Sequence, residues 1–381
     1  MMDRPPYAFS FVLCTTIGNL TRYVNLRKYA ERDLQVECHW TPVTHVVTSA
    51  PKILRLLPRT MGIRAWVTLQ MMPGLRRLRR FDAIMLHLFE AEAVCVALTY
   101  LRRGPALISS TDEAPVVDRS TYPLYPQQLT KSAWRSQFRL RLDRWRAARI
   151  SAFVPFSVWT GRLIEAGCAV PQDRIFPIHV GLDLEIWTPP APKAAQRTGL
   201  PKLLFVGSDF VRKGGQLLLE VFEKHFIDVA ELHLVSVHAP AQLPRNVYAY
   251  RDIVPNDPRL IHLYADCDVL VLPTTADLHS WVALEAMAMR LPVISTNVGA
   301  IPEIVRHGVT GLIVEKGNED ALTQGIRRLL NDAETRVRMG DEGRAQIERN
   351  FNASINVPRI LAVMKSVVDS RLDSPSACRT H

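Results

Sequence analysis

Pro273-Thr-Thr-Ala-Asp277-Leu-His279-Ser280-Trp-Val-Ala-Leu-Glu285-Ala-Met-Ala-Met289 sets two carboxylates eight residues apart across a change of secondary structure. The preceding run, Cys267-Asp-Val-Leu-Val-Leu-Pro273, is continuously apolar, as in a strand buried on both faces of a parallel sheet. A short polar loop then carries Asp277, and the apolar periodicity from Trp281 to Met289 predicts a helix bearing Glu285. A strand, a loop and a helix N-terminus leave backbone N–H groups and the positive end of a helix dipole at one corner, which suits phosphate. Two carboxylates beside that corner suit hydroxyl groups. The expected ligand carries both, as a nucleotide sugar does. In the bland alternative Asp277 is a cap and Glu285 a solvated helix residue.

Downstream, Leu291-Pro-Val-Ile-Ser-Thr296 predicts another strand and Asn297-Val-Gly299-Ala-Ile-Pro-Glu303 a turn into a helix. His307-Gly308-Val-Thr-Gly311-Leu-Ile-Val314 predicts a turn and a third strand. This block resembles the donor-binding half of the retaining glycosyltransferases of family 4 (glycosyl transferases group 1). Their pattern is Glu-x7-Glu, Ala-Met-Ala, Pro-Val, Gly-x-x-Glu and Gly-x-x-Gly. Here Asp277 stands for the first Glu, and His279-Ser280 for the usual Phe-Gly. The resemblance implies an α/β chain of GT-B fold, two Rossmann-like domains facing across a central cleft.

The chain of 381 residues has room for two domains. No apolar run reaches the roughly 18–20 residues that span a bilayer, and the N-terminus lacks the plan of a signal peptide. Six scattered cysteines without Cys-x-x-Cys spacing predict buried free thiols and a cytoplasmic protein. Charge is one-sided: residues 1–190 hold 25 Lys and Arg against 15 Asp and Glu, and the remainder holds 22 against 22. A basic N-terminal half suggests an anionic partner, such as a membrane surface, a lipid-linked phosphate or an acidic polysaccharide. No nucleic-acid-binding signature accompanies the charge, so no nucleic-acid partner is expected.

Strand candidates Ala8–Cys14, Val36–Trp40, Ala83–Leu88, Ala106–Ser110, Ala152–Phe156 and Arg174–Ile178 alternate with helical stretches at Leu20–Glu31, Glu90–Arg102, Lys131–Arg149 and Trp159–Ala166. That alternation predicts a parallel sheet covered by helices. The expected division is an acceptor domain over 1–187, a Pro-rich linker over 188–201 and a donor domain over 202–355. A helix over 356–372 is expected to return to the first domain, as the resemblance implies, and 373–381 to be a disordered tail.

Val206-Gly207-Ser208-Asp209-Phe210-Val211-Arg212-Lys213-Gly214-Gly215 aims two cations and a helix start at one spot, which a diphosphate would fill. It resembles the family's phosphate clamp, with Ser208 where relatives often carry another Arg. The resemblance gives Glu285 to the ribose hydroxyls, Asp277 to the donor sugar, and Gly18 to a glycine loop near phosphate and acceptor. Backbone amides around His279 and Ser280 are a further phosphate contact. Asp112, after a strand where relatives place a cleft histidine, either orients a hydroxyl, acts as a base, or caps the next turn. His87 ends a strand at the same edge, as a catalyst or as a structural hydrogen-bonder. Ser157-Val-Trp159 and His179-Val-Gly181-Leu-Asp183 resemble hinge segments of the family.

The activity implied is transfer of a hexosyl group, with retention, from a nucleotide-sugar donor to a cell-envelope glycan or lipid-linked acceptor. No metal and no cofactor are expected, the nucleotide sugar being a substrate. The basic run Leu75-Arg-Arg-Leu-Arg-Arg80 and the helix over 131–149, with Trp134, Phe138, Leu142 and Trp145 on one stripe, suit peripheral contact with an anionic membrane at the inner face of the plasma membrane. That stripe could equally pack on the sheet. A second reading is a degenerate GT-B protein that binds nucleotide sugars without transferring them, motivated by Ser208, Asp277 and His279-Ser280.

Overall fold

The computed structural model describes residues 6–15, 19–44, 51, 65–70, 80–87, 104–112, 133–189 and 199–373. Gly18, the helix expected over 90–102, the basic run 75–79, the centre of the linker (190–198) and the tail from 374 lie outside these residues.

Two compact units divide the chain, one of Met1–Gly181 with Ala353–His381 and one of Leu182–Asn352. The first is built from β1 (Tyr7–Cys14), α1 (Asn19–Ala30), β2 (Val36–Val43), β3 (Ala83–His87), β4 (Ala106–Ser109), α2 (Ala133–Ala147), β5 (Ala152–Phe153) and α3 (Val158–Cys168). Its strands form one parallel sheet in the order β2-β1-β3-β4-β5. Side chains alternate across the sheet as strand geometry requires. Phe9, Phe11, Met85 and Ile108 enter one core, while Val12, Ile84, Leu86 and Leu107 enter the other. α3 starts at Ser157, whose Oγ accepts from Thr160 N, and stops at Ala169 in the left-handed region (φ 53°).

The second unit contains β6 (Lys202–Val206), α4 (Gly215–His225), β7 (Glu231–Val235), β8 (Val247–Tyr250), α5 (Pro258–Asp266), β9 (Val269–Leu272), α6 (Trp281–Ala288), β10 (Val293–Thr296), α7 (Ile301–Ile304), β11 (Gly311–Val314), α8 (Glu319–Asn331) and α9 (Ala333–Asn350). Its sheet is also wholly parallel, in the order β11-β10-β9-β6-β7-β8. β9 is buried at every residue, which is why its sequence is apolar without alternation. α10 (Ala353–Leu372) then belongs to the first unit. Its Val357, Ile360, Leu361 and Met364 share a core with Phe9, Phe11 and Met85.

Some boundaries differ from the sequence reading. Arg174–Ile178 makes no full strand: a short 3-10 turn spans Gln172–Arg174, followed by a single bridge from Ile175 to Phe153. Phe176 N and Ile178 N donate to the Phe153 and Pro155 carbonyls, but Pro155 has no N–H to return a bond, so no full ladder forms. α10 begins three residues before Asn356 and tolerates Pro358 near its start.

Candidate functional site

In the second unit the loop after β6 and the loop after β9 are pressed together at the carboxyl ends of their strands, the edge where open α/β sheets take ligands. Gly214 has φ 83°, and a Cβ there would lie 2.1 Å from the Pro273 carbonyl oxygen, so only glycine permits the approach. Thr275 N donates to the Arg212 carbonyl at 2.8 Å and its Oγ1 donates to the same oxygen at 3.0 Å. Gly299 performs the same service on the other side, because a Cβ on it would meet the Asp277 carbonyl oxygen at 2.0 Å.

These contacts bring Lys213 and Asp277 together. Nζ lies 2.5 Å from Oδ2, with both side chains largely buried. Arg212 is held otherwise: Nε donates to Asp209 Oδ2 at 3.0 Å and Nη1 to the Ala276 carbonyl at 2.6 Å. Gly207 is buried, and Ser208 is exposed with its carbonyl 2.5 Å from His238 Nδ1. α4 starts at Gly214 with no side-chain cap, which leaves its dipole end available to an anion.

α6 begins differently. Ser280 is fully buried and its Oγ accepts from Ala283 N at 3.3 Å, so the hydroxyl is committed to capping the helix. His279 is 7 % exposed, its ring edge-on to Trp281 at 6.1 Å. Glu285 lies one turn further on and is 6 % exposed. Tyr264 on α5 donates its hydroxyl to Glu285 Oε2 at 2.8 Å, and the Tyr264 ring stands edge-on to Trp187 at 5.5 Å. Burial pushes the Glu285 carboxyl up to about 7, against the opposing pull of the Tyr264 hydrogen bond. Glu285 is thus paired with Tyr264, whereas Asp277 is paired with Lys213.

The first unit brings His87 and Asp112 to the carboxyl edge of its sheet, with His87 Nε2 3.7 Å from Asp112 Oδ1. The His87 ring stacks on Phe156 at 5.4 Å. The Asp112 carbonyl accepts from Thr160 Oγ1, tying the loop after β4 to α3. Among the described residues no group of three or more His, Cys, Asp or Glu could hold a metal ion.

Tyr264 and His238 are absent from the sequence reading. Tyr264 comes from a helix 21 residues before Glu285, and no local spacing couples the two. His238 is reached only because β6 and β7 are neighbours, which sets Ser208 beside the loop after β7.

A family model described as "Glycosyl transferases group 1" matches residues 200–332. The chain is similar to the D-inositol 3-phosphate glycosyltransferase of Corynebacterium glutamicum, 29% identical over 45% of this chain and 46% of that one. It is similar to D-inositol 3-phosphate glycosyltransferase 1 of Catenulispora acidiphila, 26% identical over 94% of this chain and 93% of that one. The matched stretch spans about half the length of the first two curated relatives. The fold is similar to sucrose-phosphate synthase of Thermosynechococcus elongatus, with TM-score 0.74 and 18% identity over 96% of this chain and 100% of that one. It is also similar to Anabaena HepE in complex with UDP-glucose, with TM-score 0.70 and 15% identity over 94% of this chain and 100% of that one. The second unit thus matches the glycosyl transferases of group 1 over residues 200–332, and the two parallel-sheet Rossmann-like units together have the GT-B fold.

Proposed function

We propose that the protein transfers a hexosyl group, with retention, from a nucleotide-sugar donor to an envelope glycan or a lipid-linked acceptor. The observation that carries this reading is the Lys213–Asp277 pair beside the uncapped start of α4, a cation already held where a diphosphate would bind. On donor binding, the diphosphate competes with Asp277 for Nζ, and the freed carboxylate accepts from sugar hydroxyls. Ionised Glu285 accepts from the ribose. The bond from the anomeric carbon to the diphosphate oxygen breaks as the acceptor oxygen attacks from the same face. The acceptor's proton passes to the departing phosphate oxygen. The chain's part is positioning and stabilisation of diphosphate charge through Lys213, Arg212 and the helix start. Asp112 and His87 would orient the acceptor hydroxyl.

The test is a thermal-shift panel of UDP-, GDP-, ADP- and TDP-sugars, with UDP-glucose first because HepE is known in complex with it. One nucleotide at ten times its Kd is expected to raise Tm by about 3–6 °C, by mass action on the native state. No shift from any of them removes the donor assignment. A shift without turnover or hydrolysis leaves the degenerate, binding-only protein.

Peripheral membrane contact belongs to the same reading. On α2, Leu142 and Trp145 are 39% and 38% exposed, with Arg141 and Arg144 exposed beside them. Apolar rings among arginines suit an anionic lipid interface. No helix among the described residues is long and apolar enough to cross a membrane. In flotation with phosphatidylserine vesicles the chain is expected to float at low salt, and Trp145→Ala to weaken this several-fold. Equal behaviour with neutral vesicles counts against the contact.

A further inference from the structure

Arg22 on α1 is a second cation at the carboxyl edge of the first unit's sheet, and nothing above uses it. It is 5 % exposed. Nη2 donates to Ser110 Oγ at 2.6 Å, and Ser110 in turn donates to the Val154 carbonyl at 3.0 Å. The guanidinium lies 4.5 Å over the Phe156 ring. Nη1 is buried and has no hydrogen-bond partner among the described residues. Burial pulls the guanidinium down to about 10, while Asp112 acts on it through space in the opposite sense, so it stays charged at neutral pH.

Beside Arg22 is a shallow recess open to solvent, lined also by Asn25, Ser110, Phe156, Val180 and Asn356. The polar side chains around it already have work to do. Asn25 donates to the Gly181 carbonyl at 2.9 Å and Asn356 to the His179 carbonyl at 3.0 Å. A desolvated cation with an idle N–H is costly unless an acceptor completes it. The acceptor that best matches a buried guanidinium is an anionic oxygen, through a charge-assisted hydrogen bond.

We propose that this recess receives an anionic oxygen of the sugar acceptor, a phosphate or a carboxylate, with Arg22 Nη1 as its donor and Ser110 fixing the guanidinium. The anion's identity as part of the acceptor rests on the transferase reading above; its binding at Arg22 does not. Asp112, adjacent at the same edge, would then face the acceptor's hydroxyl while Arg22 holds its charge. Specificity follows: a neutral analogue leaves Nη1 unpaired and is rejected.

Inorganic phosphate and, separately, acetate are titrated at constant ionic strength against the full chain and against Lys213→Ala, Arg22→Gln and Ser110→Ala. Lys213→Ala removes phosphate binding in the second unit, so a remaining shift belongs elsewhere. One anion is expected to raise Tm by about 3–6 °C at ten times its Kd in the wild type and in Lys213→Ala. Arg22→Gln is expected to abolish that gain. Phosphate acting alone assigns a phosphoryl acceptor, and acetate acting alone a carboxylate. No gain from either, or a gain that survives Arg22→Gln, overturns the proposal. Should Arg22→Gln not fold, Ser110→Ala decides. It releases the guanidinium that Ser110 fixes, so the gain should fall, and an unchanged gain is the overturning result. Failure of the nucleotide-sugar panel with success here would remove the transferase reading and keep the anion site.

Discussion

Lys213→Ala is expected to lower turnover by roughly 10²–10³-fold, the loss that follows removal of one charge-stabilising donor from a preorganised site. The same substitution should also destabilise the second unit. Asp277 is 5 % exposed and its carboxylate meets Lys213 Nζ at 2.5 Å, so truncating the lysine leaves a buried charge without its counter-ion. Breaking a buried pair from one side costs about 3–5 kcal/mol. Asp277→Asn in the Lys213→Ala background removes the stranded charge and should recover most of that stability without recovering turnover. Donor turnover and urea unfolding of the two single variants and the double variant check both halves. If Lys213→Ala keeps wild-type kcat/KM, the lysine is a structural partner of Asp277 and the phosphate clamp is wrongly placed. If the double variant is no more stable than Lys213→Ala, the ion pair does not account for the loss.

Glu285→Gln is expected to make the second unit more stable than wild type at alkaline pH and to leave it unchanged in acid. The sign follows from where each state holds its proton. Burial raises the native carboxyl from 4.5 to about 7. The stability this group contributes is therefore fully present below about 4.5 and is lost as pH rises through 7. At about 1.4 kcal/mol per unit, the native state above pH 8 carries a penalty of about 3 kcal/mol. Gln has no proton to lose, and its amide oxygen can still accept from the Tyr264 hydroxyl. The difference in unfolding free energy between the two proteins should grow from near zero below about pH 4 to about that value at pH 8. Donor affinity should run the other way, falling in the wild type as pH drops below 7, because ribose hydroxyls need the ionised carboxylate as acceptor. A pH-independent stability difference would mean that Glu285 is ionised throughout. The site thus trades stability for an acceptor that water cannot reach.

The parallel sheet of the second unit was legible because its signals are local. An apolar run of strand length, a polar loop and a period of 3.6 occupy 23 consecutive residues, from Cys267 to Met289. The N-cap duty of Ser280 was not read: the cap was sought at Asp277 and Ser280 was given to phosphate, whereas the Ser280 hydroxyl caps α6. What the sequence hid is everything made by strand order. Arg22 and Ser110 stand 88 residues apart, and only the packing of α1 on the edge formed by β4 joins them. Lys213 and Asp277 were both singled out as ligand groups, yet each is first the other's partner, across 64 residues. Tyr264 lies on an amphipathic helix where an aromatic reads as ordinary core, and its hydroxyl gains meaning only from the carboxylate opposite. Spacing reveals what one segment can do alone; it does not reveal which distant segment will neutralise it.

α10 has a consequence for biosynthesis. The ribosome delivers the first unit's sheet early, but Val357, Ile360, Leu361 and Met364, which close one of its two faces, emerge only after the whole second unit. The second unit is contiguous from Leu182 to Asn352 and can fold as soon as it has left the tunnel. Until α10 arrives, Phe9, Phe11 and Met85 have an incomplete cover. Truncation within α10 should therefore damage a sheet that was synthesised long before it.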